Sequence, residues 1–287
     1  MAKQLLFQKP KKSAKRLKCL FFGTAGVGKT TASIQFPRPA IIDTERGAEN
    51  DQYVEAINAR EGVVLQTTNF QTILDQVRAL ATTEHPYQTL VIDPVTVVFD
   101  AMAVEQKKKV GTDWSAHVRE ANDQWKRLVT YLSAIDMNVV YTAHSKNEWK
   151  DGEATGRQTF DGPKASDYWV DLIVHVDVDG DGVRTGTVRK SRITGLPLDE
   201  TFAWSYDELA KRYGRESLER DCVPVEDERL ALVELIANHP DGEAVLATLL
   251  RRGGSEVDRD GKPKGVATIS ELTTEQVGKA LEWMTNL

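Results

Sequence analysis

Gly23-Thr24-Ala25-Gly26-Val27-Gly28-Lys29-Thr30 decides the fold of this 287-residue chain. The stretch fits G-x-x-x-x-G-K-[ST], and its flanks complete the pattern. Leu17-Lys18-Cys19-Leu20-Phe21-Phe22 enters it like a buried strand, and Thr31 to Phe36 leaves it with helix-compatible residues closed by Pro37. Strand, glycine-rich loop and helix together form a phosphate cradle. Glycines let backbone N–H groups curl around a phosphate, and a helix N-terminus behind them adds a favourable dipole. The cradle therefore comprises Gly23, Thr24, Ala25, Gly26, Val27, Gly28, Lys29, Thr30 and Thr31. Lys29 is placed to reach β- and γ-phosphates and the Thr30 hydroxyl to ligate Mg²⁺. The expected ligands are ATP and Mg²⁺.

Outward from this loop, Pro39-Ala40-Ile41-Ile42-Asp43-Thr44-Glu45 reads as a strand ending in two carboxylates. Thr89-Leu90-Val91-Ile92-Asp93 is an apolar strand capped by Asp, the Walker B pattern, whose Asp joins Thr30 in the Mg²⁺ shell. Between them come a helix over 48–60, a brief strand at Val63-Val64-Leu65 and an amphipathic helix from Phe70 to Leu80. Helical patterns follow over Val95–Lys109 and Ala116–Ile135, then a buried strand from Asn138 to His144 with a polar end. Residues 145–164 read as a polar loop. Strand-like runs follow at Trp169–Asp177, Val183–Arg189 and Glu200–Trp204. Asp177-Val178-Asp179-Gly180-Asp181-Gly182 copies half an EF-hand loop, but Val188 stands where the bidentate Glu belongs, so an Asp-Gly hairpin turn is expected. From about Glu226 short helices take over, at 226–238, 242–251 and 273–285, with a Gly/Lys/Asp-rich linker at 252–265. The fold class is α/β: a P-loop NTPase with a mostly parallel sheet, an antiparallel extension and a small helical C-terminal unit. The expected division is a basic arm over 1–16, an ATPase core over 17–222 and the helical unit over 223–287.

Composition narrows the function. Hydrophobic content of 40% suits one large core plus an appendage, and no apolar run approaches membrane-span length. The basic N-terminus lacks the apolar segment of a signal peptide, which predicts a cytoplasmic protein without a membrane partner. Two cysteines, Cys19 and Cys222, make neither a disulfide framework nor a metal cluster. The whole chain carries −6, its first 18 residues +7, and the rest therefore −13. A basic arm on an acidic body is either a nucleic-acid contact or a solvated tail. Coating of duplex DNA by charge alone is disfavoured.

Among P-loop classes, ParA-type ATPases carry a second Lys where this chain has Thr24, and base- or lid-specific motifs of nucleotide kinases and GTPases are not found. Most strand-inserted ATPases place the catalytic Glu directly after the Walker B Asp, where this chain has Pro94. A carboxylate is still needed to orient the attacking water, and Glu45 on the neighbouring strand end is the best placed. The alternatives for Glu45 are a plain strand-end carboxylate or an outer Mg²⁺ ligand.

This arrangement resembles the RecA/RadA group. Ile42-Asp43-Thr44-Glu45 looks like its strand ending in the catalytic glutamate, and Val91-Ile92-Asp93-Pro94-Val95 like its Walker B strand. Asn138 to His144 is similar to the strand whose last polar residue senses the γ-phosphate, with His where that family usually has Gln. Gly162-Pro163-Lys164-Ala165-Ser166-Asp167-Tyr168-Trp169 resembles the segment after the second DNA-binding loop. Thr187-Val188-Arg189-Lys190-Ser191-Arg192 resembles the strand whose basic residues, here Lys190 and Arg192, reach a neighbouring subunit's ATP. The likeness covers roughly 17–206 and extends to phage-encoded RecA-core proteins, the Sak-type single-strand annealing proteins included. It implies a catalytic set of Lys29, Glu45, His144, Lys190 and Arg192, and self-association into a ring or filament. It also implies recombination or annealing on single-stranded DNA in the host cytoplasm, with a single-strand DNA-binding protein as a further partner. For His144 the plainer reading is a polar cap on a buried strand, and for Lys190 and Arg192 a solvated pair on one strand face.

Aromatics interleaved with cations suit single-stranded nucleic acid, where bases stack and charge tracks the backbone. Lys108, Trp114, Lys146, Trp149, Arg157 and Phe160 form that pattern in two polar segments, although Trp114 also suits a staple on the helix after it. Two functions survive: an ATPase acting on single-stranded DNA, and an ATPase scaffold or loader acting on a protein partner.

Overall fold

Buried at all six positions, β1 (Lys18–Gly23) is the strand around which the sheet is built. The computed structural model describes residues 15–163, 166–222, 227–252, 256–257, 263–264, 269 and 272–285; nearly all of the expected basic arm lies outside them. After β1 come α1 (Lys29–Ser33), β2 (Pro39–Asp43), α2 (Asp51–Ala59), β3 (Val63–Gln66), α3 (Phe70–Thr82) and β4 (Thr89–Asp93). Then α4 (Val95–Val110) and α5 (Ala116–Ala134) lead to β5 (Asn138–Lys150), β6 (Glu153–Asp161), α6 (Ser166–Trp169), β7 (Leu172–Val178), β8 (Arg184–Ser191) and β9 (Thr201–Ala203). Helices α7 (Tyr206–Tyr213), α8 (Arg215–Glu219), α9 (Asp227–Asn238), α10 (Gly242–Arg252) and α11 (Thr274–Thr285) close the chain, with two-residue strands β10 (Glu256–Val257) and β11 (Pro263–Lys264) before the last.

The sheet runs β3-β2-β4-β5-β1-β7-β8-β9, with β6 on β5. Every pair from β3 through β7 is parallel; β6, β8 and β9 join antiparallel. This is the expected α/β class with its antiparallel extension. Strand β5 lies between the P-loop strand β1 and the Walker B strand β4.

Alternation along each parallel strand feeds two cores, as a doubly covered sheet requires. Leu20 and Phe22 face α3, α4 and α5, together with Ile92, Tyr141, Ile73 and Trp125. Cys19 and Phe21 face the other layer, with Val140, Val174, Ile57 of α2 and Tyr206 of α7. Lys18 is buried among them at the N-terminal edge, its ammonium donating to Ile135 O (3.0 Å) and Met137 O (2.8 Å). Helices α9 to α11 add Leu232, Ile236, Leu246 and Val277 to the first core.

Three stretches differ from the sequence reading. The loop expected over 145–164 is largely a hairpin: β5 runs six residues past His144 and returns as β6. Asp151 and Gly152 join the strands with φ of 53° and 88°, both left-handed, which matches the twist of a two-residue hairpin turn. Trp169, expected to open a strand, closes α6 instead, and β7 starts at Leu172. Helices α7 and α8 occupy 206–219, for which no element was expected. The hairpin turn between β7 and β8 is as expected: Asp179 Oδ1 accepts from the N–H groups of Asp181 (3.0 Å) and Val183 (2.9 Å).

Candidate active site

Four parallel strands end side by side at one edge of the sheet, and register fixes what meets there. Gly23 of β1 is opposite His144 of β5, and Asp43 of β2 is opposite Asp93 of β4. The P-loop leaves β1 at this edge. Lys29 Nζ folds across it, donating to Gly23 O (2.9 Å) and Thr24 O (2.7 Å). Burial pulls the Lys29 pKa down, while the Asp93 and Glu45 carboxylates act in the opposite sense. Gly28 sits at φ 98°, a conformation glycine adopts without a Cβ penalty. Helix α1 is only five residues long, shorter than the run from Thr31 to Phe36 suggests, so the cradle depends more on its N–H groups and Lys29 than on a helix dipole.

Asp93 is the centre of the polar network. It accepts hydrogen bonds from the hydroxyls of Thr142 and Thr30. Burial raises its pKa, opposed by those two hydroxyls and by Lys29, with Asp43 adding to the rise. Thr30 and Asp93 thus present adjacent hard oxygen donors, the kind Mg²⁺ takes when phosphates and waters supply its remaining ligands. The described residues contain no group of three or more His, Cys, Asp or Glu placed to hold a metal ion, and such a two-residue site needs none. The pair fits the metal.

Glu45 is positioned by its backbone. The buried Asp43 carboxylate accepts from the N–H groups of Glu45 (3.1 Å), Gly47 (3.2 Å) and Ala48 (2.9 Å), and Thr44 N donates to Asp93 O (2.9 Å). The turn after β2 is therefore held at both ends, and the Glu45 side chain is left half-exposed. Its Oε1 lies 3.1 Å from His144 Nε2. A carboxylate only accepts, so the imidazole donates. His144 N in turn donates to Thr96 Oγ1 (3.0 Å), and that hydroxyl donates to Asp161 O (2.5 Å). Thr96 therefore joins the first turn of α4 to both strands at the hairpin root. Lys29, Thr30, Asp93, Glu45 and His144 are all gathered at this edge.

Lys190 and Arg192 are not with them. Lys190 is opposite Ile173, which pairs with Leu20, and Arg192 N bonds Asp171 O near the start of β1. Both lie towards the far edge of the sheet from their own P-loop. Lys190 Nζ donates to Asp167 O and to Val170 O (2.6 Å); Arg192 donates to Tyr168 O (2.6 Å) and faces Asp171 (3.5 Å). Burial, then the Arg192 charge, lowers the Lys190 pKa to about 8. In this chain the pair serves the carbonyls in and around α6.

Of the six residues read as a nucleic-acid surface, Trp149 (65% exposed), Arg157 and Lys146 stand on the hairpin, and Lys108 and Trp114 (93% exposed) at the α4–α5 turn. Trp114 does not staple the next helix. Lys146 pairs with Asp161 (2.8 Å), and the half-buried Phe160 packs edge-on to Phe22 at 6.4 Å, which leaves it a poor platform for a base. Sequence reasoning missed Thr142, whose hydroxyl donates to Asp93, and Trp204, whose indole N–H donates to Gly28 O (3.0 Å).

Residues 15–195, more than half of the chain, match the family model described as AAA domain. The chain belongs to the AAA domain family. A search of curated proteins found no match. The AAA domain is an AAA-type P-loop ATPase unit, a membership that points to nucleotide binding and hydrolysis, usually with Mg²⁺. No helix among the described residues is long and apolar enough to cross a membrane.

Proposed function

We propose that this protein hydrolyses ATP at Glu45 and uses the cycle to act on single-stranded DNA through the β5–β6 hairpin. The manner would be that of the RecA-like proteins it resembles, phage-encoded Sak-type annealing proteins among them. One observation carries the reading: Glu45 touches His144, and His144 is the residue from which β5 leaves the sheet as the hairpin. Lys29 and the P-loop N–H groups bind the triphosphate; Thr30 and Asp93 would hold Mg²⁺, which would neutralise charge on the phosphates. Glu45 accepts a proton from the attacking water as its oxygen bonds to the γ-phosphorus, and ADP leaves with its terminal oxygen. His144 reports the γ-phosphate by choosing between it and Glu45.

Labelled single-stranded DNA titrated against the full chain tests this. Affinity should be higher with ATP·Mg²⁺ than with ADP·Mg²⁺ and fall steeply with salt as phosphate contacts release counterions. Glu45→Gln should bind ATP and lose turnover. Wild-type turnover in that variant would sink the catalytic assignment. The net charge of −6 favours a second reading, an ATPase acting on a protein partner; DNA binding that ignores the nucleotide, or none, selects it.

A further inference from the structure

Strand β8 enters the sheet antiparallel to β7, so its first residue, not its last, stands at the P-loop edge. That residue is Arg184, opposite Val178. Its side chain lies along the last glycine before Lys29: a Cβ on Gly28 would sit 3.2 Å from Arg184 Cδ and 3.4 Å from Nε. Arg184 O accepts from Trp204 N (2.9 Å), and the Trp204 indole donates to Gly28 O (3.0 Å), so arginine, tryptophan and glycine close one corner. Gly186 makes that corner possible, because a Cβ there would meet Trp204 Cε3 at 2.7 Å and Val174 Cγ1 at 2.9 Å. The guanidinium itself is exposed and, among the described residues, has neither an ion pair nor a hydrogen bond. Of the carboxylates in its own hairpin, Asp177 accepts from Val178 N (2.9 Å) and Asp179 caps the turn; Asp181 stands exposed, and none of the three is paired with Arg184.

An unpaired cation beside a phosphate-binding glycine is a site for an anion. Position in the sheet says which part of the nucleotide it takes. Glu45 and His144, the γ-phosphate groups, are on β2 and β5, on one side of β1, whereas β8 is on the other side beyond β7. We propose that Arg184 is a nucleotide-binding residue supplied by the chain's own β8, gripping the nucleoside-side phosphates shared by ATP and ADP. This rests on the ATPase reading above and adds to it a contact that neither the P-loop motif nor Lys190 and Arg192 supplies.

The test is titration of ATP·Mg²⁺ and ADP·Mg²⁺ into the full-length wild type, Arg184→Ala, Arg184→Lys and Glu45→Gln. Arg184→Ala should weaken both nucleotides to a similar extent, about tenfold or more for one lost charge-assisted contact. Arg184→Lys, which keeps the charge without the fork, should fall between. If Arg184→Ala melts early, Arg184→Gln takes its place. Wild-type affinities in the Arg184 variants, with Glu45→Gln also binding, overturn the Arg184 contact and leave the ATPase reading standing. Weakening of ATP alone overturns it too, because it would put the guanidinium at the γ-phosphate. Failure of wild type and Glu45→Gln to bind either nucleotide overturns both readings.

Discussion

Asp93, proposed as a Mg²⁺ ligand, does not serve the stability of the fold. Its carboxyl is largely withdrawn from water and its pKa is raised, so above the ordinary carboxylate range the native state bears a charge it solvates poorly. Between the ordinary value of 3.8 and the raised one, the native chain binds more protons than the unfolded chain. Its contribution to stability therefore declines as pH rises through that window. Asp93→Asn should accordingly melt higher than wild type at pH 7, with the difference shrinking as pH falls towards 3.8, while ATP turnover is lost. Parallel thermal melts from pH 4 to 7.5 would show it. An Asn variant that melts lower at pH 7 would mean that the hydrogen bonds from Thr142 and Thr30 outweigh the burial. The residue-level site was largely readable because Lys29, Thr30 and Asp93 belong to local motifs. Arg184 and Trp204 were not, because their relation to Gly28 exists only once β8 and β9 are in register.

At the scale of elements, the hairpin is the part whose role separates most cleanly from stability. Trp149 is mostly exposed near its end, so Trp149→Ala should leave the melting temperature within about a degree, as surface changes usually do. It should still weaken single-stranded DNA binding by roughly 1–3 kcal/mol if a base stacks there. Duplex DNA should respond less, since its bases are already stacked. Unaltered single-strand affinity would move the DNA contact off this element. The hairpin was legible in part: Asp151-Gly152 is a strong turn signal, but both flanking strands are solvated and show no apolar run to mark them. Helix α7, for which no element was expected, does carry a local signal: Ser205 Oγ accepts from Glu208 N (3.1 Å) in an S-x-x-E start, with Lys211 and Arg212 in its last turn. Lys190 and Arg192 are the converse case. Their spacing suggested a shared strand face, but spacing alone could not reveal that nearby carbonyls already use both.

Over the whole molecule, the late helices are bound into the first core. Leu232, Val233 and Ile236 of α9 are fully buried in the same cluster as Leu128 of α5, Arg78 pairs with Glu234, and Arg127 donates to Asn238 (3.3 Å). Removing 223–287 would uncover an apolar face on α5 and α3, and a contiguous exposed apolar face is an aggregation liability. The truncated chain should aggregate or lose its cooperative transition, and the full chain should show a single calorimetric peak. Two separate peaks would show that the helices fold apart from the core. A change of composition near residue 226 was visible in the sequence, but which face those helices cover depends on α5, about a hundred residues earlier. The Thr96 hydroxyl, finally, ties the hairpin's root to the first turn of α4, just past the Walker B strand, so that the hairpin would act as a lever about that point. Six residues of β5 beyond His144 reach about 20 Å at the usual rise per residue. A tilt of about 5° at the root would carry the tip through roughly 1.7 Å by that same length, half the spacing between stacked bases.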